Sequence, residues 1–471
     1  MYRKKKVLWG ADMKIDYFES KKILIIIPHQ DDEIHLAGNL IASLKDTRNI
    51  YVAYTTSGDY AYNASVRYKE AIKSLWKLGK IKRENIFFLA YPDQSYEATN
   101  HIYTTKGNYI SANGHSETYS PSPKYKTFNY QLHNEEAKYN KENLEKNIQE
   151  LILKIKPEII ICNDLDFHPD HIMTSILTEK ALGKILKSEK DYRPKVLKSF
   201  TYENCYFGPD DFFEQENEMK FQTDTSGNLI SNKYYNIQDS LKINATPKCY
   251  TKNLFVNKIF KAILKHKSQN LVSHTTRMIN TNQVYWERNT DNLLFNAQIE
   301  TSSGSQEYLN DFVLTDTDNV LNGNKVPIKY NKGIWIPDND DKEKSITITF
   351  DNKEYVEYIK LYNGLINSNY IKEIEIRLDN KQAERYTLDD NIINSISIKS
   401  NVEKIEIKVL DNECLNGFTE IEVFAKSENK TKEDEEMIKN KTNILTKLID
   451  KSIISLLIFT QKVYRKLFIR L

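Results

Sequence analysis

Two short clusters hold the side chains best suited to chemistry. PHQDDE runs from Pro28 to Glu33, and DFHPDH runs from Asp166 to His171. His29 and Asp32 stand three residues apart, as do His168 and His171. The adjacent carboxylates Asp31, Asp32 and Glu33 repel one another unless positive charge lies among them. Imidazole and carboxylate are donors that zinc accepts, and three protein ligands leave a fourth position for water. A lone histidine at a strand end is more often a satisfied polar residue. Two His/Asp clusters, each following an apolar run, point instead to a hydrolytic metal site.

Apolar runs at 23–27, 50–56, 86–90, 158–162 and 197–203 read as strands, and 65–79, 134–155 and 170–187 have helical spacing. The alternation predicts an α/β fold: a Rossmann-like, mostly parallel sheet with helices on both faces. Ligands of such sheets gather at the carboxyl ends of the strands, where both clusters fall. At the start of the following helix, His168 and His171 share a face. The irregular stretch 93–133, rich in Tyr, Ser, Asn and Gly, is long enough for a lid or substrate rim. Residues 252–280 read as helix again.

After Asn292 the pattern changes. Alternating segments at 345–350, 356–362, 371–378, 395–400, 402–410 and 418–425 predict an antiparallel β-sandwich. The expected organisation is a first domain over 20–290, a sandwich over 291–425, a polar linker over 426–442 and a helix over 443–471. YWERNTDNLL (285–294) would form the junction, with Trp286 and Arg288 packing the two domains. The last segment is a basic amphipathic helix whose longest apolar run, IISLLIF, is short of the ~20 residues a span needs. It suits an anionic membrane surface, the alternative being packing on a domain or partner.

A chain of 471 residues is too long for one ordinary core. Its 67 basic and 65 acidic residues nearly cancel, which gives no global field for nucleic acid. Four scattered cysteines form no CxxC pair, arguing against a disulfide framework or thiolate zinc site and for a reducing compartment. The basic N-terminus lacks an apolar h-region, so a cytoplasmic location is expected. Oligomeric state has no signature.

PHQDDE with HPDH resembles the paired motifs of the PIG-L/LmbE family of zinc-dependent N-acetylglucosaminyl deacetylases, with Gln30 where the family's first motif has proline. The resemblance implies metal ligands at His29, Asp32 and His171, a general base at Asp31, and at His168 a histidine that steadies the tetrahedral intermediate. Phe167 stands where many members have a small residue. SGDYAYNASVRYKEAIKSLWKLG (57–79) resembles the family's Arg-x-x-Glu segment, making Arg67 a candidate clamp for a substrate hydroxyl or phosphate, with a salt bridge to Glu70 as the alternative. YPDQS (91–95) resembles its Pro-Asp turn, so Asp93 could accept from sugar hydroxyls. GHSETY (114–119) and KHKSQ (265–269) are similar to segments of longer bacterial members, and His115 is a candidate rim contact.

The chemistry follows from these groups. Zinc can bring the pKa of water towards ~7 and polarise an acetamide carbonyl. The same donors accept another divalent ion such as Fe2+. Asp31 would take the water's proton, His168, if protonated, would hold the oxyanion, and Asp170 would orient a histidine and keep it cationic. Downstream, NAQIETSSG, GIWIP and GFTEIEVFA resemble a discoidin-like, galactose-binding-like sandwich. Such domains bind glycans, sometimes beside Ca2+; Trp335 fits a sugar platform or the core. The expected activity is de-N-acetylation of a GlcNAc-type sugar on a bacterial glycolipid or surface-polysaccharide precursor. The alternatives are a metal-dependent phosphoesterase and a non-catalytic carbohydrate-binding protein.

Overall fold

The structure, a computed structural model, describes residues 13–95, 100–166, 168–201, 206–207, 220–221, 240–243, 249, 254–269, 271–273, 275–279, 282–314, 333–364, 370–390, 393–411, 417–426 and 444–468. Phe167, most of the linker and the cysteines at 205 and 414 lie outside them. The chain divides into two compact units. One comprises Met1–Ser175, Pro194–Arg288 and Lys430–Leu471; the other comprises Ile176–Arg193 and Asn289–Asn429.

In the first unit β1 (Ile23–Ile27), β2 (Ile50–Thr56), β3 (Ile86–Tyr91), β4 (Ile159–Asn163) and β5 (Lys195–Ser199) pair in parallel, and the sheet order begins β3-β2-β1-β4-β5. The five residues of ILIII are all buried, as a strand covered on both faces requires. After β1 the chain winds towards β3 on one side, and β4 and β5 extend the sheet on the other. The order therefore reverses between β1 and β4, where such sheets leave a crevice. Helix α1 (Asp32–Ser43) leaves β1, α2 (Ala64–Gly79) follows β2, and short α3 (Phe128–His133) precedes α4 (Lys141–Ile155) and α5 (Pro169–Ser188). Asn140 caps α4 by accepting from the Asn143 N–H, so the helix expected over 134–155 starts seven residues later.

Small strands β6 (Tyr206–Phe207) and β7 (Lys220–Phe221) pair with each other. Strand β8 (Leu241–Ile243) joins β9 (Gln283–Arg288), which lies antiparallel on β5. The stretch expected to be an inter-domain junction is thus partly a sheet strand, with Trp286 buried against Phe200. The helix expected over 252–280 is corrected. Only Lys258–Ile263 is α-helical (α6), followed by 3-10 turns at Leu271–Ser273 and Thr275–Met278. Its polar residues are spent on buried tertiary bonds described below.

The second unit is antiparallel. Strand β10 (Gln298–Thr301) pairs β11 (Ser345–Asn363), which pairs β14 (Ile393–Val409) and β15 (Phe418–Phe424); β12 (Glu373–Leu378) and β13 (Glu384–Thr387) continue the sheet from β14. Segments expected as separate strands merge into long β11 and β14, whose register shifts at Thr349/Glu354 and Val356/Tyr358 let them serve a sandwich-like core. Trp335 is fully buried there, stacked on Phe418, with its indole N–H on the Ser303 carbonyl. It is core, not an exposed sugar platform. A Cβ on Gly417 would come 1.7 Å from the Trp335 oxygen, so only glycine permits that approach. The chain's described residues end in helix α7 (Ile444–Phe468), within the first unit.

Candidate metal centre

The two clusters meet at the crevice between β1 and β4. His29 follows β1 by two residues, and His168 stands immediately before α5. Pro169 is the first helical residue of α5, where a fixed φ and a missing N–H are both suitable. His168 Nδ1 accepts the Asp170 backbone N–H at 3.2 Å. Buried Lys198, 3.1 Å from Asp164 and donating to Ser175, steadies the loop that enters this turn.

Hydrogen positions follow from the partners. His171 Nδ1 lies 2.7 Å from Asp166 Oδ2, so that nitrogen carries the hydrogen and Nε2 is a lone pair. His29 Nε2 faces Asp170 Oδ2 at 3.1 Å and Asp93 Oδ1 at 3.2 Å, leaving Nδ1 as a lone pair. The two lone pairs face each other at 3.1 Å. Asp32 Oδ2 stands 3.3 Å from His29 Nδ1 and 3.4 Å from His171 Nε2. With both rings neutral these three acceptors repel, and a cation among them, a proton or a metal ion, removes the conflict. The spacing fits: ligands about 2.0–2.1 Å from a tetrahedral zinc lie roughly 3.3 Å from one another. The donor set suits a divalent metal.

Two buried groups have metal-holding potential, His29/His168/His171 and His29/Asp93/Asp170. They share His29. In the second group the carboxylates face the hydrogen-bearing nitrogen of His29, the usual way a ligand's ring is oriented.

Asp31 is set apart from this triangle. It occupies the N-cap of α1, yet its carboxylate makes no cap bond; it lies 3.4 Å from the Arg67 guanidinium instead. Burial raises its pKa to about 6, Arg67 opposing the shift and neighbouring Asp32 adding to it. That is a carboxylate mostly ionised at neutral pH and basic enough to take a proton. Asp32 goes the other way: burial would raise it, but His171 and His29 hold it below the carboxylate range. Burial would lower His29, but bonds to Asp170, Asp32 and Asp93 raise it well above the usual range, so without a metal these carboxylates draw a proton onto the ring, and a bound divalent ion would take that proton's place at Nδ1.

The surroundings of His168 disfavour its charged form. Burial, with His29 and His171 beside it, holds it well below the histidine range. Because Nδ1 accepts from backbone, Nε2 carries the hydrogen, so His168 is a neutral N–H donor. Asp170, expected to orient a histidine, stands 3.9 Å from His168 Nδ1 and closer to two others. Asp170 orients His29 and His101 (2.9 Å) and accepts the Gln94 N–H at 3.0 Å.

Arg67 donates to Gln269 at 2.8 Å and reaches Asp93 at 3.4 Å, while Glu70 accepts from Ser268. Asp93 faces His29 and Arg67 at the crevice. His115 is not among the side chains that converge there; half-buried on the irregular segment, it stacks on Tyr119, whose hydroxyl donates to Asp59. Gln30, which stands in place of the family's proline, ties two strand ends together. Its side-chain amide donates to the Thr56 carbonyl, linking the end of β1 to that of β2 as proline could not, while its backbone carbonyl accepts from Gln269.

Several contributors carried no spacing signal. His101 is isolated in the irregular segment. Glu33, fully buried, accepts from Tyr54 at 3.0 Å and faces His266 at 2.7 Å, a pairing 233 residues apart in sequence. Asp166 and Glu33 were within reach of the sequence, since each stands in one of the two clusters, whereas the partners His101 and His266 were not.

The likenesses to solved structures are distant. The family 32 CBM from C. perfringens NanJ in complex with galactose is 15% identical, covering 28% of this chain and 95% of that one at a TM-score of 0.20. A Streptococcus pneumoniae fucose binding module is also 15% identical, covering 29% and 95% at 0.23. Likeness at this level carries no weight for fold or ligand. No curated protein matches the chain. The family model described as PIG-L, GlcNAc-PI de-N-acetylase, matches residues 24–182. That span contains both clusters and the strands that bring them together: this chain carries a PIG-L family domain.

Proposed function

We propose that the chain is a metal-dependent amidohydrolase that removes the acetyl group from a GlcNAc-type sugar, with a bacterial glycolipid or surface-polysaccharide precursor as substrate. The observation that carries this reading is the convergence of His29, Asp32 and His171 nitrogen and oxygen atoms at 3.1–3.4 Å, with the Arg67-paired carboxylate of Asp31 beside them and outside their triangle. A binding module needs no such base.

His29, Asp32 and His171 would hold the ion, read as zinc, which when bound supplies Lewis-acid polarisation of the acetamide and a more acidic water. Asp31 takes a proton from the attacking water. Its pKa of about 6 lets it accept that proton at neutral pH and later pass it to the leaving amine. His168 Nε2–H donates to the oxygen of the acetyl carbonyl as it gains charge. Asp170 and Asp93 hold the His29 ring, and Asp166 holds that of His171. Arg67, fixed by Gln269, holds Asp31 ionised and is a candidate clamp for a sugar hydroxyl or phosphate, with Asp93 as a further candidate sugar contact. A cytoplasmic location, glycan binding by the second unit with or without Ca2+, and contact of 443–471 with the inner membrane face belong to the same proposal.

Acetate release from a panel of N-acetylated glycans, with and without chelator, tests it. The wild type should release acetate and lose activity on chelation, and Asp31→Asn should be inactive while retaining metal. Full activity in Asp31→Asn would sink the mechanism. Release of phosphate from phosphoesters without acetate release would favour the phosphoesterase instead.

A further inference from the structure

The first unit carries a face that the catalytic site does not explain. A groove runs along the outer side of α2 and ends at Tyr464 of α7. Seven basic residues and two acidic ones line it. Glu70 is taken by Ser268, and Glu84 lies 3.6 Å from Lys82. Lys69, Lys73 and Lys77 repeat every fourth residue of α2 and are exposed, an arrangement that costs helix stability unless an anion relieves it. Lys265 and Lys267 face them across the groove. Burial lowers the Lys265 pKa, and Lys77, Lys267 and Lys73 lower it further, so these positive fields overlap. The lining also includes Val66, Ile72, Trp76, Ile81 and Tyr125, which give it an apolar component among the lysines.

Helix α7 extends this face. It packs beside Leu271–Ser273, with Ile453, Ile454, Leu457 and Ile458 half-buried and Gln461 buried. Its other side is an apolar ridge of Leu445, Leu448, Ile449, Leu456, Phe459 and Val463, between 38% and 64% exposed. Lys451, Lys462 and Lys466 are exposed and share one flank of that ridge by helical spacing. Among the described residues no helix is long and apolar enough to cross a membrane. An apolar ridge bordered by lysines is the pattern of a helix lying in an anionic interface.

We propose that the lysine-lined groove of α2 and the apolar ridge of α7 form one docking face for the surface of a membrane containing anionic phospholipid. Charge complementarity selects this occupant: phosphate headgroups meet the lysines of α2 and α7, while the ridge enters the acyl boundary. The face adjoins the catalytic crevice. Arg465 of α7 donates to the Tyr62 hydroxyl, and the Arg67 guanidinium lies 5.9 Å from the centre of the same ring. A substrate carried in that leaflet would therefore lie one aromatic ring from the arginine beside Asp31.

Vesicle flotation of the full chain tests this without any substrate, so its result stands apart from that of the deacetylase assay. Binding is expected to phosphatidylcholine vesicles containing phosphatidylglycerol, not to phosphatidylcholine alone, and should weaken as salt rises. Replacing Lys69, Lys73 and Lys77 together by glutamine should weaken binding on the order of 100-fold, by roughly the surface attraction of three lysines. Leu456→Ser/Phe459→Ser should also release the protein, and acetate release from a soluble glycan should be unchanged in both variants. Equal binding to both vesicles, binding to neither, or undiminished binding by the glutamine variant overturns the proposal. So does a dimer in sedimentation that the Leu456→Ser/Phe459→Ser variant dissociates, because a second copy would then cover the ridge.

Discussion

Replacing Arg67 by glutamine should move the acidic limb of the pH–rate profile upward by roughly 1–2 pH units. The guanidinium stands 3.4 Å from an Asp31 oxygen. At an effective dielectric constant of about 40–80, suited to a partly accessible crevice, their attraction is about 1–2.5 kcal/mol, or roughly 1–2 pKa units. The sign follows from Asp31's role as a base. Arg67 favours the ionised carboxylate, so removing it raises a pKa that already stands at about 6. More hydroxide is then needed to reach the active form. A bound divalent cation lowers the limb in wild type and variant alike, so the separation between them is the quantity to measure. The assay is kcat/KM for acetate release from a soluble N-acetylated glycan, with saturating metal, across both limbs. At alkaline pH the variant should recover most of the base function, leaving only the loss of substrate contacts. A limb that stays in place, or moves to lower pH, would show that Arg67 does not tune Asp31.

Asp31→Asn should reduce kcat by about 10²–10⁴-fold, the usual contribution of a positioned base, with bound metal unchanged by elemental analysis. Asp166→Asn removes the carboxylate that fixes the His171 tautomer and should weaken metal binding about 10–100-fold in competition with a chelator. In Gly58→Ala a Cβ would stand 2.0 Å from Gln30 Oε1 and 2.9 Å from Arg67 Cδ, at a φ of +69°. Its kcat/KM should fall along with its melting temperature. Trp335→Ala should cost about 3–5 kcal/mol in urea unfolding of the second unit, the range for truncating a buried tryptophan.

The five parallel strands and the helices α2, α4 and α5 were legible, α4 but for its start, because each buries a local pattern, a run of aliphatics or a 3.6-residue stripe. The segment 252–280 misled for the same reason. Its spacing is helical, but Ser268 and Gln269 are drawn out of any helix by Glu70, Arg67 and Gln30, which no local pattern reveals. Segments 345–350 and 356–362 looked like two strands because Asp351–Lys353 reads as a turn. In the structure that polar stretch is an irregularity inside one long strand.

The sequence by itself determined the donor types, their spacing within each cluster and the apolar strands that carry them. Covalent proximity and local periodicity are enough to specify those. Tertiary structure decided how each histidine ring is partnered, that burial disfavours a charged His168, that Asp170 faces His29 and His101, and that Asp31 alone among the acids of PHQDDE has Arg67 as its partner. Those properties depend on burial and on partners such as Asp166, His101, His266 and Gln269, each brought to the crevice by a different part of the chain. Charge and proton position respond to distance in space, and the linear spacing of residues does not encode it.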